Sequence, residues 1–480
     1  MTKLVETAKT TQGFIIFIGI FNAFFYRPYK PLVLRGARQV GKTWLIRDFA
    51  KRHALNLVEL NFERLPHLAE LFSGNNPKET LANIEAELGT SISPESSLLF
   101  LDEIQAAPEL FAKLRWFKEE MPLLPVIAAG SLLEFALNKF GYSMPVGRVA
   151  YFYLEQMSFF EFVRASGNEA LHRKLTSFRL QEKMPLSLHE KCLNLYNDYC
   201  LVGGMPEVVA EWVNNQSLKT CMTLQQDLLA TYRDDFHKYG GEIDARLLTK
   251  IMLSVSEQLG NKFVYTRVDP SQKTPQVKKA IEMLSRAKVC SKILHTTGKG
   301  LPLGAESNEK FFKALMLDIG LVSAQLGLFS ISRSEVKKII FPSKGGLAEQ
   351  FVGQQLRAAQ TPLTDPQLYY WQRTGGRMGE IDYIIQHKHR VVPVEVKSGA
   401  AGSMKSLHQF MAEKNLDLAV RLNAHMPADE MIHVKTTLGI PVDYRLLSIP
   451  VYLTEHIETL INQAGDSLSS SKNGSISDHI

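Results

Sequence analysis

The sequence predicts an α/β protein built on a parallel β-sheet, and three patterns support that prediction. Short apolar runs alternate with helical stretches from Pro31 to about Phe152, and the runs are PLVLRG, NLVELNF, SSLLFLDE and PVIAAGS. Apolar runs of this length, separated by helices, are typical of buried parallel strands. A glycine-rich loop and a helix over residues 42–52 follow the first run, and two acidic residues close the third. We therefore expect a sheet whose strands end in chemically active loops.

Composition sets broad limits on the class of protein. The 480 residues are too many for one ordinary domain. With 45% hydrophobic and 22% charged residues, the chain has enough apolar material for sizeable cores, which excludes a largely disordered protein. A net charge of +6 permits contact with nucleic acid without requiring it. No C-x-x-C spacing occurs, so we expect reduced core cysteines in a cytoplasmic protein, at Cys192, Cys200, Cys221 and Cys290.

The N-terminal segment over residues 13–25, GFIIFIGIFNAFF, is almost wholly apolar. Its thirteen residues are too few to span a bilayer, and no small-residue cleavage site follows. A packed N-terminal helix is the favoured interpretation, and membrane attachment is the alternative.

The remaining patterns divide the chain into further modules. Residues 158–239 are helical in pattern, with one interruption at LVGGMPE. Residues 244–294 give a helix, a polar break, a second helix and a short β-run, which is the order of a winged helix, although a plain helical hairpin fits too. We predict six segments: an apolar N-terminal segment (1–25), a phosphate-loop core (26–157), a helical subdomain (158–240), a winged helix (241–300), a second α/β domain (301–465) and a Ser-rich disordered tail (466–480).

The glycine-rich loop follows the pattern G-x-x-x-x-G-K-[ST] between a predicted strand and a predicted helix. This arrangement is typical of a loop that wraps nucleotide phosphates with its backbone N–H groups. Lys42 would neutralise the β and γ phosphates, and the Thr43 hydroxyl would ligate Mg²⁺. The expected ATP-binding residues are Gly36, Ala37, Arg38, Gln39, Val40, Gly41, Lys42 and Thr43.

Two acids end the run SSLLFLDE about sixty residues further on. A buried parallel strand that ends in an acid opens onto the nucleotide crevice. We expect Asp102 to hold Mg²⁺ beside the nucleotide and Glu103 to polarise the attacking water. The alternative is a strand followed by two solvated acids. Together with the phosphate loop, the pair predicts hydrolysis of ATP and not merely its binding.

These residues together resemble a family of bacterial and archaeal AAA-type ATPases, the archaeal-ATPase-like group, whose C-terminal half has no known function. The resemblance covers about residues 31–420 and departs from the family in the apolar segment before Tyr26. It implies an ATPase core, a winged helix and a C-terminal domain similar to the restriction-endonuclease fold, without implying a substrate. The segments that carry it are LRGARQVGKTWLIRDFA, LLFLDEIQ, GSLLEF, GRVAYFYLEQMSFFEF, LVGGMPEVV, KALMLDIGL, GEIDYII and VEVKSG.

The resemblance also suggests two further residues at the nucleotide. Ser131 follows the third apolar run, where AAA-type ATPases place a polar residue that senses the γ-phosphate. Arg148 could reach the γ-phosphate in cis or from a neighbouring subunit, with a plain surface arginine as the alternative.

In an endonuclease-like fold, two metal-binding carboxylates and a lysine lie on adjacent strands. This sequence offers Asp382 in GEIDYII and both Glu395 and Lys397 in VVPVEVKSG, with Glu349 on the preceding helix as a further ligand. The carboxylates would hold Mg²⁺ against a scissile phosphate, and Lys397, on the same strand face as Glu395, would orient or deprotonate the attacking water. The alternatives are a fold that persists without catalysis and acids that bind a cation only for stability.

Several basic and aromatic residues could contact DNA, although solvated surface positions explain them equally well: Trp371, Arg373, Arg377, Lys273, Lys278 and Lys279. Two functions therefore stay open. One is an ATP-regulated enzyme acting on nucleic acid, and the other is a nucleotide-dependent switch or scaffold with an inactive nuclease fold. A homo-oligomer fits both, because AAA-type cores often form rings.

Overall fold

The computed structural model describes residues 30–131, 133, 144–145, 147–239, 243–328, 345–373, 379–397 and 404–473, apart from the side chains of 237–239 and 466–473. The apolar segment 13–25, Arg377 and the last part of the predicted tail, 474–480, lie outside these ranges. Within them, every helix is too short or too polar to cross a membrane.

The first half of the chain forms a five-stranded, all-parallel sheet in the order β2-β3-β4-β1-β5. The four apolar runs predicted as strands and the predicted helix over residues 42–52 are confirmed. The elements are β1 (Leu32–Arg35), α1 (Lys42–Arg52), β2 (Asn56–Asn61), α2 (Pro77–Leu88), β3 (Ser97–Asp102), α3 (Leu110–Glu120), β4 (Val126–Ala129) and β5 (Ala150–Tyr153).

Alternate residues of β1 show how the sheet is covered on both faces. Leu32 and Leu34 pack with α1 in one buried cluster, and Val33 packs on the other face with α3. Since all five strands are parallel, the residues that follow β1, β3 and β4 meet at one edge of the sheet. The phosphate loop, Glu103 and Ser131 all follow these strands at that edge.

A group of helices packs beside this sheet: α4 (Phe159–Ala165), α5 (Glu169–Thr176), α6 (Leu186–Val202), α7 (Pro206–Asn215) and α8 (Leu218–Tyr239). The predicted interruption at LVGGMPE lies between α6 and α7. Gly203 has a φ of 76°, and a Cβ there would lie 2.0 Å from Asp318 Oδ1. The neighbouring Gly204 N–H donates to Asp318 Oδ2 at 2.6 Å. At this break the backbone therefore packs directly against a buried carboxylate.

The second half contains a mixed eight-stranded sheet in the order β12-β13-β11-β10-β9-β8-β6-β7. Its elements, with the helices between them, are α9 (Ala245–Glu257), α10 (Thr274–Arg286), β6 (Cys290–Thr296), β7 (Ser307–Met316), α11 (Ile319–Gln325), α12 (Gly345–Ala358), β8 (Leu368–Gln372), β9 (Glu380–His387), β10 (Arg390–Val396), α13 (Lys405–Lys414), β11 (Leu418–Asn423), β12 (Ala428–Lys435), β13 (Pro441–Pro450) and α14 (Ile457–Asn473).

Two predicted boundaries need correction. The boundary at residue 300 falls inside a hairpin, because β6 pairs antiparallel with β7 and also parallel with β8. The short β-run that ends the predicted winged helix is therefore a strand of the same sheet as the C-terminal domain. The tail predicted to be disordered from residue 466 is also wrong in its first part, because α14 continues as a helix to Asn473.

Candidate functional site

The phosphate loop has a backbone that only some residues tolerate. Gln39 and Gly41 have φ values of 62° and 97°, in the left-handed region. A Cβ on Gly36 would lie 2.4 Å from the carbonyl oxygen of Leu154, the residue after β5, so only glycine fits at the start of the loop. Helix α1 begins directly after Gly41 without a side-chain cap, which leaves its first N–H groups free for an anion.

Lys42 is almost fully buried at the start of α1, with 8% of its surface exposed. Its ammonium donates to the carbonyl oxygens of Gly36 at 3.2 Å and Ala37 at 2.6 Å. Burial lowers the pKa of Lys42 to about 8, and the nearby carboxylates oppose that shift only in part. A phosphate bound in the loop would favour the charged form, so the site is suited to an anionic ligand.

Thr43 and Asp102 bring two oxygen ligands together at the end of β3. The Thr43 hydroxyl donates to Asp102 Oδ1 at 3.1 Å, and the Asn61 amide donates to Asp102 Oδ2 at 3.1 Å. Burial is the main reason that the pKa of Asp102 rises to about 6. A hydroxyl and a carboxylate in contact are the hard oxygen donors that Mg²⁺ prefers, so these residues fit the metal that the motif implies.

Glu103 follows directly in a strained conformation, with a φ of 50°. The Gln105 amide donates to Glu103 Oε2 at 2.5 Å and so orients the carboxylate. After β4, Ser131 is 2% exposed, and its hydroxyl has no hydrogen-bond partner among the described residues. A Cβ on the adjacent Gly130 would lie 2.1 Å from Gln105 Oε1, so glycine leaves room for the Gln105 side chain.

The helical subdomain holds the loop from outside. Arg38 forms an ion pair with Asp235 of α8 at 2.8 Å, and the Tyr232 hydroxyl donates to the Arg38 carbonyl oxygen at 2.7 Å. The sequence did not identify Asp235, Tyr232, Asn61 or Gln105. Asn61 and Gln105 could have been found, because one ends a predicted strand at the same sheet edge and the other follows Glu103 by two residues.

A cavity of about 680 Å³ adjoins the phosphate loop. This volume lies in the range of pockets that enclose small ligands and cofactors. The cavity is lined by the phosphate loop with α1, by Glu103, by the chain from the end of β5 into α4, and by α7, and the C-terminal half contributes further residues.

Arg148 is not among the residues that line this cavity. It lies just before β5, and β5 pairs in parallel with β1 from Leu32 onward. Arg148 is therefore at the amino edge of the sheet, opposite the phosphate loop, where its guanidinium donates to Glu119 Oε1 at 2.8 Å. The prediction that it reaches the γ-phosphate in cis is wrong. A role towards a neighbouring subunit stays a prediction.

A second cluster of charged groups lies in the C-terminal half. Carboxylate oxygens of Glu349, Glu380 and Asp382 lie within 4.8 Å of one another. The Lys313 ammonium from β7, 1% exposed, lies among them at 2.9 Å from Glu349 and 3.7 Å from Asp382, and it also pairs with Glu380. The Lys313 ammonium thus lies beside Glu349 and Asp382, at the position where the sequence predicted a metal ion.

Glu395 and Lys397 lie beside this cluster on β10. Lys397 Nζ pairs with Glu395 Oε1 at 2.5 Å, whereas Glu395 Oε2 is buried without a hydrogen-bond partner in the described structure. Asp382 Oδ2 accepts a hydrogen bond from the Val396 N–H at 2.8 Å. Burial, followed by repulsion from Asp382, raises the pKa values of Glu349 and Glu395 to about 8. The structure thus brings the four predicted residues of this site together.

Sequence reasoning missed Lys313 and Glu380. Glu380 lies two residues before Asp382 on the same face of β9, so strand periodicity could have found it. No local signal identifies Lys313.

The predicted DNA contacts are only partly accessible. Trp371 is 5% exposed and packs against Phe410 with ring centroids 4.8 Å apart, so the prediction that it stacks on a base is wrong. Arg373 lies 3.8 Å from Glu413. Lys273, Lys278 and Lys279 are exposed on α10 or just before it, while the opposite face of α10 is buried.

Three domain families match parts of the chain. Residues 28–163 match an AAA domain, residues 193–332 match a domain of unknown function (DUF8612), and residues 344–441 match another domain of unknown function (DUF4143). No curated protein matches. Among solved structures, the chain is similar to AMPPCP-bound DnaA from Aquifex aeolicus, with 13% identity and a TM-score of 0.24 over 57% of this chain and 88% of that chain. The AAA match contains the five-stranded sheet with all of its phosphate-loop residues.

Proposed function

We propose that this chain, which joins an AAA domain to C-terminal domains of unknown function, binds ATP with Mg²⁺ and hydrolyses it at the phosphate loop. One observation carries the proposal. The buried Lys42 ammonium, the paired Thr43 and Asp102 oxygens and the Glu103 carboxylate all follow parallel strands at one edge of a single sheet.

Each group has a role that follows from its position. The uncapped N-terminus of α1 and the loop N–H groups would bind the phosphate oxygens, and Lys42 would exchange its two carbonyl partners for the β and γ phosphates. Thr43 and Asp102 would hold Mg²⁺, which neutralises phosphate charge when bound. These residues pre-organise the phosphates for attack, which is the main source of catalysis in phosphoryl transfer.

Glu103 would act as the base that orients and polarises the attacking water. Its side chain is half-buried, is held by Gln105 and lies one residue beyond Asp102, so it is close to the phosphates without being needed to bind them. The Ser131 hydroxyl, which is buried and has no hydrogen-bond partner in the described part of the chain, supports a contact with the γ-phosphate or the attacking water.

Removal of the metal tests this proposal. Phosphate release from ATP by the purified chain should require Mg²⁺ and should stop in excess EDTA, since Thr43 and Asp102 would lose the ion that they hold. The measurement is the initial rate of phosphate release, with restoration by added Mg²⁺ as the control. Turnover at the full rate in EDTA would contradict the assigned roles of Thr43 and Asp102.

A second candidate function is metal-dependent cleavage of nucleic acid by the C-terminal half. The observation that favours it is the Glu395 Oε2 atom, which is buried beside Asp382 and Lys397 and has no hydrogen-bond partner within the described ranges. Lys313 weighs against it, because its ammonium already lies between Glu349, Glu380 and Asp382, where a metal ion would bind. Metal binding would require Lys313 to withdraw. If it never does, the C-terminal half would serve an ATP-dependent switch or scaffold.

Cleavage of linear and supercoiled DNA with Mg²⁺ or Mn²⁺, with and without ATP, separates these alternatives. The second candidate predicts cutting that Asp382→Ala abolishes and that Lys313→Met preserves or increases, because methionine keeps the stem and removes the competing charge. Lys310→Ala, an exposed change on the same strand, is the matched control. Cutting that survives Asp382→Ala would refute the assigned site, whereas no cutting with ATP turnover intact would favour the switch.

A further inference from the structure

The cavity beside the phosphate loop has a wall that the AAA domain does not supply. Six residues of the C-terminal half line it: Arg357, Ala358, Gln360, Pro362, Pro366 and Glu455. Among the described lining residues, Arg357 is the cation that this half contributes. It lies near the end of α12, is 7% exposed, and also lines a smaller cavity of about 140 Å³ towards β6.

Arg357 reaches back to the ATPase core through two parallel contacts. Its Nη2 lies 2.7 Å from Glu155 Oε1, its Nε donates to Glu155 Oε2 at 3.3 Å, and its Nη1 donates to the Pro366 carbonyl oxygen at 2.8 Å. Because the buried Arg357 guanidinium contacts both Glu155 oxygens and is itself held by Pro366, it fixes the orientation of the Glu155 carboxylate as well as its distance.

Glu155 is placed directly behind the phosphate loop. The preceding residue, Leu154, donates its N–H to the Arg35 carbonyl oxygen at 2.8 Å. The Leu154 carbonyl oxygen is the atom that a Cβ on Gly36 would meet at 2.4 Å. A small shift of residues 154–155 would therefore change the backbone at the first residue of the loop.

Three further hydrogen bonds fix the same segment from the C-terminal half. The Tyr153 N–H donates to the Pro362 carbonyl oxygen at 2.7 Å, the Phe159 N–H to Gln355 Oε1 at 2.7 Å, and the Phe160 N–H to Glu455 Oε2 at 2.6 Å. Gln355 belongs to α12, the helix that carries Arg357. Residues 153–160 thus follow the phosphate-loop sheet in sequence, and the C-terminal half holds them in place through these hydrogen bonds.

We propose that Arg357 is a positioning residue of the nucleotide site. ATP affinity then depends on the contact between the C-terminal half and residues 153–160. The inference rests on the proposed binding of ATP at the phosphate loop. Because linkage is reciprocal, bound ATP tightens the same contact. Helix α12 also carries Glu349, eight residues before Arg357 or roughly 12 Å along the helix. A change in the contacts of Glu349 with Glu380 and Asp382 can therefore reach the nucleotide site through α12.

The test is the KM for ATP and the kcat of Arg357→Met, Glu155→Gln and the double variant in the full chain. Arg357→Met should raise KM roughly tenfold, as expected for loss of a charged hydrogen bond, with kcat changed less than about twofold. Arg357→Lys, which keeps the charge but loses the fork, should fall between wild type and Arg357→Met. The double variant should be no worse than Arg357→Met, since both substitutions remove the same contact.

Thermal unfolding of every variant monitors the fold. Arg357→Met alone leaves the partly buried Glu155 carboxylate without its partner, and the double variant removes that unpaired charge as well. Arg286→Met is the matched control, because Arg286 is an exposed arginine in the last turn of α10 that lines neither cavity, and its KM should be that of wild type. Additive effects of the two single changes, or a fall in kcat at constant KM, would overturn the inference. If Lys42→Ala abolishes ATP binding while Arg357→Met leaves KM unchanged, this inference alone fails. If Lys42→Ala binds ATP normally, the proposed nucleotide site itself fails.

Discussion

Lys42→Ala should weaken ATP binding by roughly 100-fold or more, because it removes the one buried ammonium at the start of α1 and its charged hydrogen bonds to phosphate. In the structure this ammonium donates to two loop carbonyl oxygens and has little exposure. Its replacement therefore removes charge and breaks hydrogen bonds to carbonyl oxygens only. Equilibrium titration with a fluorescent ATP analogue measures the effect, and turnover should be lost with it.

Lys51→Ala is the control for that change. Lys51 is an exposed basic residue in the last turn of the same helix and does not line the cavity. Its substitution should leave affinity and turnover at wild-type values. Undiminished ATP turnover in folded Lys42→Ala would exclude residues 36–43 as the catalytic phosphate loop.

Glu103→Gln should retain ATP and slow its hydrolysis by roughly 10²- to 10⁴-fold, the range for loss of a general base. Glutamine keeps an oxygen that can accept the Gln105 hydrogen bond, so the local geometry should persist. Affinity for ATP with Mg²⁺ should stay within about threefold of wild type, since Thr43 and Asp102 are unchanged. Single-turnover hydrolysis and equilibrium binding measure the two quantities separately.

The matched control is Glu120→Gln, an exposed change at the end of α3 that is distant from the cavity lining. It should leave both quantities at wild-type values. Loss of binding together with hydrolysis in Glu103→Gln would indicate that Glu103 supports the strained turn after β3 rather than the attacking water.

Local sequence was sufficient for the ATPase core because its signals are short in range. A strand, a glycine loop and a helix follow one another within residues 32–52, and the buried run before Asp102 is continuous. The insertion of β4 between β1 and β3 could not be predicted, since it depends on pairing between segments about ninety residues apart. That insertion is what places Ser131 between the phosphate loop and Glu103.

The C-terminal half was harder to predict because its decisive contacts are distant in sequence. The boundary predicted at residue 300 fails because β6 pairs with β8, as at Ile293 and Leu368, and no local pattern distinguishes a free hairpin from one built into a larger sheet. Lys313 lies in an apolar strand, and its burial depends on acids from α12 and β9. Trp371 precedes a basic loop, yet packing against Phe410 buries it.

The most direct test of the central claim is a structure of the chain with a non-hydrolysable ATP analogue and Mg²⁺. The account predicts the β and γ phosphates within the loop at Gly36 to Thr43, Lys42 in contact with them, and Mg²⁺ beside Thr43 and Asp102. It also predicts a water held by Glu103 in line with the γ-phosphate. An analogue bound elsewhere, or a loop that stays empty at saturating nucleotide, would contradict the account.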